Sequence, residues 1–185
     1  MTKPSISIIL PNYNGEKYLE RTLHSFCDQG LEQKELIVVD DKSSDSSHSI
    51  LQSWSEEHKN ILWIREADKG ISDAINIGIK HSSGDMIGYL GSDDVLMDNI
   101  LVKVSEVSSK IDFDYAFFNS YTYYIKERKC ILQKPMLQNF TFNDLLKYGT
   151  IVGLQNTFFR KSVFDEILFN PENKYSMDYE MLLEM

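Results

Sequence analysis

From Ser5 to Asp94 the hydrophobic pattern switches repeatedly between two periods, and this alternation constrains the fold more than any other feature. Ser5 to Leu10 (SISIIL) is short, apolar and β-branched, as a strand buried on both faces is. Pro11-Asn12-Tyr13-Asn14-Gly15 ends it. Leu19, Leu23 and Cys27 then recur every four residues, with Thr22 and Phe26 beside them, which predicts a helix from Glu16. Glu35 to Val39 (ELIVV) predicts a second strand, and Ser46 to Glu57 a helix with Ile50, Leu51 and Trp54 inward. Ile61 to Ile64 (ILWI) predicts a third strand, Ile71 to Ile79 a helix and Met86 to Leu90 a fourth strand. Such alternation requires right-handed crossovers, so the expected class is α/β, with a mostly parallel central sheet.

After about residue 110 the texture changes. Tyr115 to Ile125 (YAFFNSYTYYI) is aromatic and strand-like, and Gln155 to Arg160 predicts another strand. Thr141 to Tyr148 and Ser176 to Met185 predict helices, the second barely begun when the chain stops. No linker-like segment separates the halves, so residues 1–185 are expected to form a single domain. Residues 1–110 are its ligand-binding half. Residues 111–185 cover the sheet and are expected to continue past the last residue.

A chain of 185 residues with 42% hydrophobic and 25% charged residues has apolar material for a core without metal or disulfide staples. Cys27 and Cys130 match no metal spacing and are expected to be free thiols. His24, His48, His58 and His81 are expected at the surface. The net charge of −9 argues against a nucleic-acid partner, since phosphate backbones recruit Lys and Arg. No apolar run is long enough to span a bilayer, and no signal-peptide pattern follows Met1. The expected location is cytoplasmic, with peripheral contact at the inner face of a membrane left open.

Three strand ends carry polar clusters: Pro11 to Asn14, Asp40 to Asp45, and Ser92-Asp93-Asp94. In a parallel sheet they share the carboxyl edge, where ligands of α/β folds bind. Four carboxylates (Asp40, Asp41, Asp93, Asp94) would then converge, a repulsive arrangement unless a cation or ligand donors offset it. Each cluster alone also reads as a helix cap or turn. No G-x-G-x-x-G, no G-x-x-x-x-G-K-[ST] and no G-x-S-x-G occurs, which lowers dinucleotide, P-loop and hydrolase readings.

In this order and spacing, the segments resemble glycosyltransferase family 2, whose fold is the Rossmann-like, three-layer GT-A sandwich. The resemblance rests on SISIILPNYNGEKYLERTLHSF, ELIVVDDKSSDSS, DKGISDAINIGIKHSSGDMIGYLGSDD, GLQNTFFRKSVF and SMDYEMLLEM. It implies that Pro11, Tyr13 and Asp41 contact the nucleotide base, with Asp40 a weaker candidate. It implies that Asp73 and Asn76, with Ser92, face the nucleotide-sugar. Asp93 matches the divalent-metal ligand of the family's D-x-D motif, with Asp94 beside it, and Asp178 matches the general base. Two positions depart: Gly91 stands where the first Asp of D-x-D belongs, and Ile75 where an Arg often precedes Asn76.

The implied reaction is inverting transfer from a nucleotide diphosphate sugar, expected to be a UDP-sugar, to a saccharide or lipid-linked acceptor hydroxyl. A carboxylate takes the hydroxyl proton, and Mg²⁺ or Mn²⁺ stabilises the departing diphosphate. A catalytically silent nucleotide-sugar-binding module and a nucleotidyltransferase are the alternatives. Asp178 has one as well: acidic residues in a first helical turn cap free N–H groups.

Overall fold

The computed structural model describes residues 4–137 and 139–185. β1 (Ile6–Pro11), α1 (Glu16–Cys27), β2 (Lys34–Val39), α2 (Ser47–Glu57), β3 (Ile61–Ile64), α3 (Ile71–His81) and β4 (Met86–Tyr89) follow the expected alternation within a residue or two at each end. Then come α4 (Ile100–Ser108), β5 (Tyr115–Phe117), β6 (Ser120–Tyr124), β7 (Lys129–Gln133), α5 (Phe142–Tyr148), β8 (Thr157–Arg160) and α6 (Met177–Glu184).

The central sheet has the order β3-β2-β1-β4-β8-β5. β1, β2, β3 and β4 pair in parallel, and β8 runs antiparallel between β4 and β5. The fold is therefore α/β with a mostly parallel sheet, as the alternation predicts. Ile6, Ile8 and Leu10 of β1 point to one face, packed by Leu19, Leu23 and Phe26 of α1, Leu51 of α2 and Leu101 and Val104 of α4. Ile9 points to the other, against Ala74, Ile75 and Ile79 of α3 and Met181 of α6. Helical layers on both faces explain why β1 and β2 read as continuous apolar runs.

One expectation is corrected. The segment from Tyr115 to Ile125 is not one strand. It leaves the sheet at Phe118, whose N–H donates to Asn156 O at 2.8 Å and whose carbonyl accepts from Asn156 Nδ2 at 2.6 Å. Past that clamp, β6 turns back on β7 in a separate hairpin. The structure also contains α4, an element not expected from the sequence, which is held by burial of Leu101 and Val104. α5 starts where its sequence predicts, because Thr141 and Asp144 form a reciprocal capping box.

α3 lies very close to β1. A Cβ on Gly78 would sit 2.3 Å from Cγ2 of the fully buried Ile9. Alanine favours a helix over glycine by about 1 kcal/mol, whereas overpacking a filled core costs about 1–3 kcal/mol. Gly78→Ala is therefore expected to destabilise the fold, read as a lower urea midpoint with an unchanged m-value. A higher midpoint would show that α3 can move off the sheet.

Candidate active site

The strand order sets the position of the site. α1 and α2 pack on one face as the chain steps outward from β1 to β3, and α3 returns on the other face to place β4 beside β1. Connections leave β1 and β4 on opposite sides, so a crevice opens beyond their carboxyl ends. The loops after β1, β2 and β4 meet there, as the three polar clusters predict.

Asp40 holds the first two loops together. Its side chain is 0% exposed. Asn12 Nδ2 donates to Oδ2 at 2.5 Å, Ser43 N to Oδ1 at 3.0 Å and Ser43 Oγ to Oδ2 at 2.6 Å. His48 Nε2 lies 3.3 Å from Oδ1. Around this centre, Asn14 N donates to Ser43 Oγ (2.7 Å), Ser44 N to Asn14 Oδ1 (2.8 Å) and Glu16 N to Asp45 Oδ2 (3.0 Å), while Glu16 Oε2 accepts from Ser46 N (2.8 Å). Asn14 adopts φ +52°, a left-handed conformation that Asn tolerates better than most residues. Asn12 Oδ1 is buried with no donor, a cost of about 1–3 kcal/mol that the bond from Nδ2 to a carboxylate offsets. Gly15 makes this possible, since a Cβ there would strike that oxygen.

With Asp40 enclosed, Asp41 is the open member of the pair. It is half-buried, and among the described residues no group donates to its carboxylate. Tyr13 stands 68% exposed above the same loop, and Pro11 is half-buried at its base.

The third loop docks through Thr22 of α1, whose Oγ1 lies 3.0 Å from Ser92 O and 2.7 Å from Asp94 O. Asp94 N closes a tight turn on Gly91 O. A Cβ on Gly91 would lie 2.7 Å from Asp94 Oδ2 and 3.2 Å from Asp93 Oδ1. The space that an Asp at 91 would need is therefore taken by the Asp94 carboxylate. Burial raises the Asp94 pKa, and the Asp93 charge raises it further. Burial, with the same two carboxylates, pushes the nearby Tyr89 hydroxyl up to about 12. Adjacent carboxylate oxygens are hard ligands of the kind that suit Mg²⁺ or Mn²⁺. Among the described residues no three His, Cys, Asp or Glu cluster as a complete metal site, so such an ion would need ligand oxygens from a bound diphosphate.

The remaining candidates lie apart from these loops. Asp73 accepts from Lys69 N at 2.9 Å. Asn76 is bonded both ways to Phe169, donating to its carbonyl at 2.7 Å and accepting from its N–H at 3.0 Å. Both line a groove of about 480 Å³ with Glu66, Lys80, Lys161 and Asp165. Asp178 is half-buried and accepts from Tyr179 N at 2.9 Å, so it does satisfy one free N–H of its helix. Glu180 is engaged by Asn170 and Asn173 at 2.9 and 2.7 Å; those two bonds lower its pKa.

His48 is not a free surface residue. Its ring contacts Asp40 and lies 5.3 Å from Trp63, whose Nε1 donates to Asp40 O at 3.1 Å. No spacing rule marks it, because its partner is eight residues away across a loop. Thr22 was legible only as part of a helical face.

The glycosyl transferase family 2 model matches residues 7–168. The chain belongs to glycosyltransferase family 2. It is 32% identical over 167 residues to the Escherichia coli UDP-Glc:alpha-D-GlcNAc-diphosphoundecaprenol beta-1,3-glucosyltransferase WfgD, covering 90% of this chain and 62% of that protein. It is 30% identical over 156 residues to the putative teichuronic acid biosynthesis glycosyltransferase TuaG of Bacillus subtilis, covering 82% and 60%. The chain thus spans about 60% of the length of these relatives. Staphylococcus aureus TarS 1-349 in complex with UDP superposes with a TM-score of 0.72 at 19% identity, covering 95% of this chain and 53% of that one. The mannosyltransferase PcManGT of Pyrobaculum calidifontis, in complex with GDP-Man and Mn²⁺, gives 0.69 at 14%, covering 98% and 51%. The fold of this glycosyltransferase family 2 chain is thus GT-A.

The two neighbouring aspartates are expected to behave oppositely. Asp40→Ala strands Asn12 and Ser43 and is expected to cost about 3 kcal/mol or more of stability. Asp41→Ala is expected to stay within about 0.5 kcal/mol of the parent. Urea denaturation of both checks this, and equal losses would show that Asp41 is structural too.

Proposed function

We propose that this chain forms the donor-binding part of an inverting glycosyltransferase that moves a sugar from a UDP-sugar to a hydroxyl of a saccharide or lipid-linked acceptor. The observation that carries this reading is the division of labour at the carboxyl edge. Asp40 locks the loops, while Tyr13, Asp41, Asp93 and Asp94 remain available beside one crevice. The UDP complex of TarS and the UDP-glucose donor in the name of WfgD support the nucleotide class. The same name, with its diphosphoundecaprenol-linked acceptor, supports a lipid-linked saccharide here. The location proposed with it is the inner face of a membrane, and among the described residues no helix is long and apolar enough to cross one.

In this reading Tyr13 and Pro11 flank the uracil, and Asp41 accepts a hydrogen bond from the ring N–H. An acceptor covered by the bound base discriminates against bases that lack the matching donor. Ser92 and Asp93 line the ribose and diphosphate side. Asp93 and Asp94 would hold a divalent ion, which offsets the charge developing on the diphosphate. PcManGT with its Mn²⁺ supports that role. Asp73, in the first turn of α3, is assigned to the wall on the sugar side, and Asn76, in the middle of α3 and bonded both ways to Phe169, to holding that wall in place. Asp178 takes the proton of the acceptor hydroxyl as the new bond to the anomeric carbon forms and the bond to the nucleoside diphosphate breaks. Among the described residues its carboxylate has a single hydrogen bond, to Tyr179 N, which leaves the other oxygen for that proton.

Calorimetry with UDP, GDP and ADP, each with and without Mn²⁺, tests the donor site. UDP is expected to bind best and to gain from Mn²⁺, with the gain lost in Asp93→Asn. Equal affinities for all three nucleotides would remove the base pocket. Turnover tests the rest. In a longer version of the chain, Asp178→Asn is expected to lose roughly 10²–10⁴-fold in rate, with UDP binding and melting temperature retained. Near-parental transfer would exclude Asp178. UDP binding without turnover in the parent would favour a silent binding module.

A further inference from the structure

The β6–β7 hairpin lies outside the site described above. Its strands pair only with each other, and a lone two-stranded hairpin is marginal in water. Residues directly opposite in an antiparallel pair share a face. Tyr121 opposes Leu132 and Tyr123 opposes Cys130. Tyr121, Tyr123 and Leu132 are 52, 54 and 39% exposed, and Ile125, next along that face, is 63% exposed. This face is apolar and open to water.

The charge around it runs against the rest of the chain. The hairpin carries Lys126, Arg128, Lys129 and Lys134 with Glu127 as the one acid, a local net charge of +3 in a chain of net −9; Lys129, opposite Tyr124, lies on the other face, and Lys134, two residues past Leu132, on this one. All five charged residues are exposed. Tyrosines with an apolar body and a polar tip, aliphatic neighbours and a fringe of long cations match the interface of an anionic bilayer. A single-stranded nucleic acid would use the cations and the rings but not Ile125, Leu132 and the exposed Met136. The acidic remainder of the chain would repel a long polyanion. At a flat surface the same asymmetry orients the molecule, with the basic hairpin toward the lipid and the acidic body away.

We propose that the β6–β7 hairpin is a docking element that lays its Tyr121, Tyr123 and Ile125 face on an anionic lipid bilayer, with Lys134 and the turn residue Arg128 on the headgroup phosphates. This surface stands independently of the transfer reading and needs no nucleotide.

Flotation with vesicles of equal parts phosphatidylcholine and phosphatidylglycerol, against phosphatidylcholine alone, tests it on the intact chain. Binding to the anionic vesicles only, weakening with salt, is expected. Each basic residue near such a surface is worth about fivefold in partitioning, so the R128Q/K134Q variant should lose roughly twenty-fivefold. Tyr121→Ser with Tyr123→Ser should lose roughly tenfold. Unchanged circular dichroism and melting temperature are expected for both variants. A second readout does not depend on the variants. Cys130 is exposed on the docking face, whereas Cys27 is half-buried and burial pushes its thiol pKa up. A polarity-sensitive dye therefore labels Cys130 selectively, and its emission should shift to the blue on anionic vesicles. The proposal is overturned if anionic vesicles do not bind the chain, or bind it with the dye unchanged. It is also overturned if the dye responds to protein concentration instead, as self-association would give, or if single-stranded RNA abolishes vesicle binding through the same residues.

Discussion

A carboxylate sealed from water is the constraint on which the rest of this site depends. Burying an ion costs several kcal/mol unless donors surround it. For Asp40 the donors come from three places: Asn12 in the first loop, Ser43 in its own loop and His48 on α2. Ser43 is local, but Asn12 and His48 come into place only when β1 and β2 are paired and α2 has packed down. Folding the sheet and shaping the crevice are therefore one event. The cost of the buried charge penalises any arrangement in which the first two loops drift apart.

The third loop is built on the opposite principle. Asp94 is half-enclosed, and burial and the Asp93 charge, which disfavour its charged form, outweigh the Gly91 N–H and the Arg21 charge that favour it. A site left short of positive charge is poised for a cation. Asp40 is enclosed by donors and structural, whereas Asp94 is held in a setting that disfavours its charge, with Asp93 beside it. That contrast gives an acidic chain a way to accept an anionic ligand together with a metal ion.

Much of this was legible in the amino-acid sequence, for physical reasons. The strands β1 to β4 are buried on both faces, so their composition marks them, and the parallel order follows from the intervening helices. The three polar clusters were visible because strand ends in such a sheet must share an edge. The division between Asp40 and Asp41 was not. Which carboxylate turns inward is decided by side chains from other elements, above all Asn12 and His48. Ser46 also shows the limit of local rules. It sits at the N-cap of α2 without a side-chain cap, while Asp45, one residue earlier, accepts from both Ser47 N and Glu16 N. The hairpin after Phe118 was missed because Asn156, far along the chain, ends β5. The resemblance to the family supplied roles for Asp93 and Asp178 that residue types alone leave open.

The central claim is that the locked loops at the carboxyl edge, rather than the groove along α3, receive the nucleotide. Amide chemical-shift mapping of the isotope-labelled chain, titrated with UDP and Mg²⁺, tests it directly. The largest perturbations should fall on Tyr13, Asn14, Asp41 and Lys42 and on Gly91 to Asp94. Perturbations centred instead on Glu66, Lys80, Lys161 and Asp165, which line that groove, would contradict the account.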